Sequence, residues 1–262
     1  MNPDLGVALA CAAGLFVLVY VVPMVQLKLG HRAGAQLRLT ATSRERVAPR
    51  FLALIDPLIA ALEGLGFTLV GFLDGPGDPG KRSGIRHTVV LRTADGATGA
   101  VVYVIEQARR EATYVVTGVQ FTTDFGDSGS INTGNSTQPG LFHYRANRRV
   151  YRFPDVTDPG QLYALHRRLV ARARAASVEP QAASLDEAIR KIQETTARDM
   201  AYQEACGDYA RTADGTYRLT WKGAVRAITV LGPGFKVWRQ QHERTRAAAL
   251  IADLRRDPPP PD

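Results

Sequence analysis

The sequence predicts an α+β protein with a single N-terminal transmembrane helix, a helix-covered antiparallel sheet and a helical C-terminal region. Three observations carry that prediction. From Leu5 to Leu27 no side chain is charged. At about 1.5 Å of rise per residue, roughly twenty such residues span a hydrocarbon layer about 30 Å thick. Between residues 67 and 153, short β-rich runs are joined by Gly- and Asp-containing turns with no helix between them, which is the pattern of an antiparallel meander. From residue 161 onward, apolar residues recur at helical spacing.

The apolar run comes first. It lacks the basic n-region and the short apolar core of a cleaved signal peptide. It also stays apolar on every face over six turns, which a buried helix of a globular core seldom does. Leu5, Leu15, Phe16, Tyr20, Val22 and Leu27 are expected to contact a lipid bilayer. Bases crowd its downstream end, among them Lys28, Arg32, Arg38, Arg44 and Arg46. The positive-inside rule then places the N-terminus outside an inner membrane and the remaining chain in the cytoplasm. Lys28, Arg32 and Arg38 are the expected contacts to anionic lipid headgroups.

Charge and cysteine content bound the rest. The net charge is +8, supplied mostly by arginine, which suits anionic lipid or nucleic acid. Two cysteines, Cys11 and Cys206, exclude a disulfide framework.

The expected organisation is a tail and span over 1–27, a basic juxtamembrane segment over 28–47, an α+β domain over 48–155, a helical region with one strand hairpin over 156–256, and a disordered tail over 257–262. A helix is expected over 42–65, capped by Thr42 with Glu45 and kinked or broken at Pro57. Its stripe is Phe51, Leu54, Ile55, Leu58, Leu62 and Leu65. Strands are expected over 67–73, 87–93, 99–106, 113–125 and 130–133, with edge strands over 141–144 and 148–153. Charged residues on the strands predict one wet face. Helices follow over 161–176 and from Ser184, which forms a capping box with Glu187, to about 206. A strand over 216–220 and two helical pieces broken at 232–234 complete the chain.

Several motifs resemble chemistry without its supporting context. The segment from Gly75 to Lys81 has the outline of a phosphate-binding loop, but Pro76 and Pro79 lack N–H groups and Arg82 replaces the metal-binding hydroxyl. Asp124-Phe125-Gly126 and Gly126-Asp127-Ser128-Gly129 spell kinase and protease fragments that a hairpin turn explains better. The five histidines share no metal-ligand spacing. No catalytic, cofactor or metal set emerges. The best candidate binding loop spans 122–138, where Asp124, Asp127, Asn132 and Asn135 supply oxygen donors.

The segment DGTYRLTWKGA at 214–224 is similar to the wing of winged-helix DNA-binding domains. That resemblance implies nucleic acid as a partner of the 161–224 region, with Arg198, Arg211 and Arg218 as phosphate contacts.

The leading expectation is therefore a single-pass membrane-anchored protein with a cytoplasmic binding or scaffolding domain and no enzymatic activity. It needs no cofactor, and its protein partner is unspecified. The alternatives are a membrane-tethered nucleic-acid binder and a hydrolase or transferase whose site is assembled from distant residues.

Overall fold

Alternating apolar residues and tight turns give the β-rich segment its sheet. The structure, a computed structural model, describes residues 11, 14–15, 17–33, 39–75, 83–108, 113–137, 143–173 and 178–256. Strands β2 (Thr40–Thr42), β3 (Phe67–Asp74), β4 (Ser83–Thr93), β5 (Gly99–Ala108), β6 (Thr113–Asp124), β7 (Ser130–Gly134) and β8 (Arg148–Arg152) form one seven-stranded sheet in that order. Every neighbouring pair is antiparallel except β7 and β8, which run parallel. The meander thus holds through β7. The long connection after β7 then brings the chain back for a parallel pairing, which no tight turn can make.

Two turns fix the register. At the β4–β5 turn, Gly96 takes φ +70° and the Asp95 carboxylate accepts from the Ala97 N–H at 2.9 Å. The hydroxyl of Thr93 holds the Asp95 carboxyl below the usual carboxylate range. At the β6–β7 turn, Gly129 takes φ +106°, and a Cβ there would lie 1.8 Å from the Asn147 carbonyl oxygen. Only glycine fits.

Helix α2 (Pro49–Gly64) buries Phe51, Ile55, Ile59 and Leu62. The N-cap is Ala48, and Thr42 belongs to β2, so the expected Thr42 cap does not form. The helix also continues through Pro57 without the expected break. The buried residues on both sides of the proline hold the two halves on one core. Helix α3 (Pro159–Ala173) adds Leu162, Leu165 and Leu169 to the same cluster, with Val89, Leu91, Val102, Val119 and Phe121 from the sheet.

The opposite sheet face is covered at one end. Leu73 and Val90 pack with Ala182 and Ala188 and with the partly buried Leu185, Ile189 and Ile192 of α4 (Leu185–Ala205), so the expected wet face is dry there. A β-bulge between Leu69 and Gly71 lets Phe67 and Phe72, five residues apart, join the same cluster, while Leu73 faces the other. The Ser184 cap predicted at the start of α4 is present, while Glu187 reaches back one residue further than a capping box requires. The Ser184 hydroxyl accepts from the Glu187 N–H at 3.3 Å, and Glu187 accepts from the Ala183 N–H at 2.7 Å.

The chain divides into two units interleaved in sequence. A sheet unit holds 37–137, 144–195 and 243–262, and a helical unit holds 1–36, 138–143 and 196–242. The helical unit contains a π-helical turn (Val17–Val21), α1 (Val22–Gly30), β1 (Arg32–Ala33), β9 (Tyr209–Arg211), β10 (Tyr217–Leu219), α5 (Trp221–Leu231) and the first part of α6 (Pro233–Leu254). Its strands order as β1-β10-β9. Tyr209, Tyr217 and Leu219 form its core with the partly buried Leu27, Ala33 and Met200. Thr220 caps α5 as the sequence predicts, its hydroxyl accepting from the Gly223 N–H at 3.0 Å.

Among the described residues, no helix is long and apolar enough to cross a membrane. This overturns the predicted transmembrane helix, the membrane-anchored function and the inner-membrane localisation with its orientation. Among the described residues of the run, the π-turn Val17–Val21 interrupts the α-helix, which continues over Val22–Gly30 and ends before His31. One side of it packs inside the protein. Tyr20 meets Phe235 edge-on at 6.3 Å, and Leu27 packs on the Tyr209 cluster. Leu15 and Val22 are exposed on the other side. Leu5, Phe16 and Arg38 lie outside the described residues, as do the phosphate-loop-like segment at 76–82, the edge-strand residues 141–142 and the tail after 256. The described remainder of the predicted 141–144 strand is not β.

Candidate binding surface

The predicted 122–138 loop is mostly hairpin, and its polar side chains hold the hairpin together. Asp124 ends β6 and caps the Gly126 N–H at 3.1 Å. Asp127 lies in a single 3-10 turn, Gly126–Ser128. Asn132 is buried in β7. Its Oδ1 accepts from Gln120 at 3.3 Å and from Thr122 at 3.0 Å, and its Nδ2 donates to Ser130 at 3.1 Å. Asn135 Oδ1 accepts from the Val119 N–H at 2.8 Å. The four predicted residues thus have separate duties. Among the described residues, no group of three or more His, Cys, Asp or Glu side chains is placed to hold a metal ion.

His166 lies under this hairpin, fully buried. Its Nε2 is 2.9 Å from the Thr123 hydroxyl and its Nδ1 is 2.9 Å from the Thr133 hydroxyl. Thr123 in turn meets Thr98 at 3.0 Å. A neutral imidazole donates from one nitrogen and accepts at the other, so two threonines satisfy it completely. Burial pushes its pKa down to about 3. The ring bolts α3 to strands β6 and β7.

A second polar group lies at the other end of β4. His87 Nδ1 is 3.0 Å from Asp74, and Arg50 donates to the buried Glu106 at 3.1 Å. Thr40 pairs with Asp74, and Asp74 pairs with His87, along one cross-strand row. The carboxylate therefore stands between the hydroxyl and the imidazole. A nucleophile–base pair needs those two in direct contact.

The helical unit differs in kind. Val19, Pro23, Gln26, Leu27, Gly30 and His31 on one side, and Ile228, Leu231 and Gly232 on the other, line a shallow, open apolar groove of about 660 Å³. His31 Nε2 closes one end at 3.0 Å from the Tyr209 hydroxyl. Burial and the neighbouring Asp208 charge push the Tyr209 phenol up to about 12, so it stays a hydroxyl. Asp208, itself buried, is matched by Arg226 at 2.6 Å. Beside the groove, Leu15, Leu18 and Leu29 are 62%, 65% and 69% exposed. With Val22 they recur at spacings of three, four and seven residues along the run. Trp221, Val225, Phe235, Val237 and Trp238 are also exposed.

Of the predicted headgroup contacts, Lys28 and Arg32 fall on this unit. Lys28 lies 5.9 Å above the Trp221 ring, and Arg32 pairs with Arg218 between β1 and β10. The wing-like segment forms a true hairpin. Gly215 takes φ +78°, and Asp214 accepts from the Thr216 N–H at 3.1 Å. Arg211 and Arg218 lie on its two strands. The preceding helical turns expose Ala197, Arg198, Ala201, Glu204 and Ala205.

Sequence reasoning saw the apolar run but missed the groove. Its signal was there: the same greasy residues also fit a seam, and only the packing of α1 on α5 distinguishes the two. No protein-family model, curated protein or solved structure matches the chain.

Proposed function

We propose that this protein is a non-catalytic binding module whose helical unit receives an apolar helical segment of another protein. One observation carries the reading. Large exposed apolar side chains gather on residues 15–29 and 221–238, around a concave apolar groove. Contiguous apolar surface of that kind marks interaction sites, and a groove between two helices suits a helix laid along it.

The polar clusters of the sheet unit favour the same reading. His166 is sealed, Asn132 and Asn135 are committed to the hairpin, and Asp74 separates His87 from Thr40. None of these arrangements aligns a nucleophile with a base.

The test is fluorescence anisotropy with the full-length protein and a labelled, designed amphipathic helix carrying leucines at a and d and glutamines elsewhere. Saturable binding is expected. Leu231→Ser, at an exposed residue that lines the groove, should weaken it at least tenfold while thermal stability stays within a few degrees. Equal binding by wild type and this variant would remove the proposal.

A further inference from the structure

We infer that the outer edge of β8 receives an acidic, extended segment of another protein as an added strand. This edge belongs to the sheet unit, and the groove belongs to the helical unit. β8 ends the seven-stranded sheet, with β7 on its inner side. The Ser130 N–H donates to the Asn147 carbonyl and the Phe153 N–H to the Gly134 carbonyl, each at 2.9 Å. In a parallel ladder alternate residues bond to the same neighbour, so Arg149 and Tyr151 turn their backbone groups toward β7. Arg148, Val150 and Arg152 turn theirs outward. The Arg148 N–H donates to the Arg145 carbonyl at 2.9 Å. Among the described residues, no backbone group pairs with the outward N–H and C=O of Val150 and Arg152. An open row of that kind is a template for a further strand.

The side chains set the sign of that strand. Residues 128–154 hold no Asp or Glu but carry Arg145, Arg148, Arg149 and Arg152. The Tyr144 ring meets the Arg148 and Arg152 guanidinium groups at 5.4 and 5.6 Å, on the face that alternation gives both of them. Arg152 is matched by Glu243 at 3.6 Å. Arg149 is exposed, and among the described residues no ion pair or hydrogen bond engages its side chain. Opposite charges directly across two strands stabilise their pairing, and like charges oppose it. A second copy of this chain paired antiparallel about Val150 would set Arg148 against Arg152. A strand with Asp or Glu opposite Arg149 meets both the open backbone and the charge.

The experiment is fluorescence anisotropy with full-length protein and three labelled eight-residue peptides. Each alternates threonine and valine around a central pair of glutamates, glutamines or lysines. At 50 mM NaCl the glutamate peptide should bind saturably and at least tenfold more tightly than the glutamine peptide, and the lysine peptide more weakly than either. Arg149→Gln should bring the glutamate and glutamine peptides within threefold of each other. Two N-methylated glutamate peptides, modified at odd or at even positions, test the backbone, since each loses the donors of one edge. One should fail to bind and the other should bind as before. Val150→Pro removes an outward N–H and no bond to β7, a change that edge strands tolerate, and should lower the affinity at least tenfold.

Equal binding of the glutamate and glutamine peptides would overturn the acidic partner. Equal binding of the two N-methylated peptides would show that no strand is added and overturn the inference, even where Val150→Pro unfolds the sheet. Failure of the glutamate peptide to bind would overturn it too. Two other results would assign the edge elsewhere and overturn the inference. One is displacement of the glutamate peptide by a single-stranded oligonucleotide, which would give the arginines to phosphate. The other is dimerisation of the wild type that Val150→Pro abolishes, which would give the edge to a second copy.

Discussion

The sheet unit and the helical unit use apolar side chains in opposite ways. In the first, Phe121, Phe153, Ile55, Leu62, Leu91 and Leu162 are sealed completely. Its polar side chains mainly serve the frame, as the threonine–histidine chain beneath the hairpin shows. In the second, three tyrosine and leucine side chains suffice for the small core, while leucines, valines and both tryptophans face outward. Side chains that stabilise by burial about 1.5–3 kcal/mol each are left on a surface where they stabilise nothing in the isolated chain. One unit holds shape, and the other holds unspent binding energy.

The comparison breaks most easily in the sheet unit. Phe121→Ala should cost about 3–5 kcal/mol by removing a ring that meets Phe67 and Tyr163 in the core. Urea unfolding will measure it. If the loss is below about 1 kcal/mol, the sheet unit is not the frame described here.

His166 gives the next largest effect. The folded state keeps it neutral with a pKa of about 3, whereas an unfolded chain titrates it near the ordinary 6.5. Between these values the unfolded state binds a proton that the folded state refuses. The stability from neutral burial is full above pH 6.5 and declines as the pH falls toward 3. At pH 5 the loss is about 2 kcal/mol. Comparing unfolding at pH 7.5 and pH 5 in wild type and His166→Gln isolates it, since the variant should show a drop smaller by that amount. Equal drops would mean that the ring is not sealed.

Ser184→Ala sharpens the picture at the start of α4, where losing the cap should cost about 1 kcal/mol without touching the groove. Leu231→Ser, at an exposed groove residue, should change stability by less than about 0.5 kcal/mol, yet impair helix binding. That inversion between core and groove is what the comparison demands.

Much of the fold was legible from residues. The Asp95-Gly96 turn, the Ser184 cap, the Thr220 cap and the meander from β3 to β7 follow from local chemistry that tertiary packing did not override. What failed was non-local. Pro57 reads as a break, but flanking apolar residues on one core hold the helix through it. β8 pairs in parallel because of where a long connection returns, which spacing alone does not encode. The 122–138 loop reads as a donor set, whereas its amides are spent across β6 and β7.

The N-terminal run is the most instructive case. An uninterrupted apolar stretch specifies that it will leave water, but not for what. Lipid was the simplest destination to read. The structure instead turns Leu27 and Tyr20 inward and Leu15, Leu18 and Leu29 outward, a two-sided use that only the neighbouring α5 and α6 reveal.

The most direct measurement is a methyl NMR titration of the full-length protein, labelled at leucine and valine, with the designed leucine-striped helix. The account predicts shifts at Val19, Leu27 and Leu231, which line the groove, with Leu62, Leu73 and Leu91 unmoved. Shifts confined to the sheet unit, or no shifts at saturating helix, would contradict it.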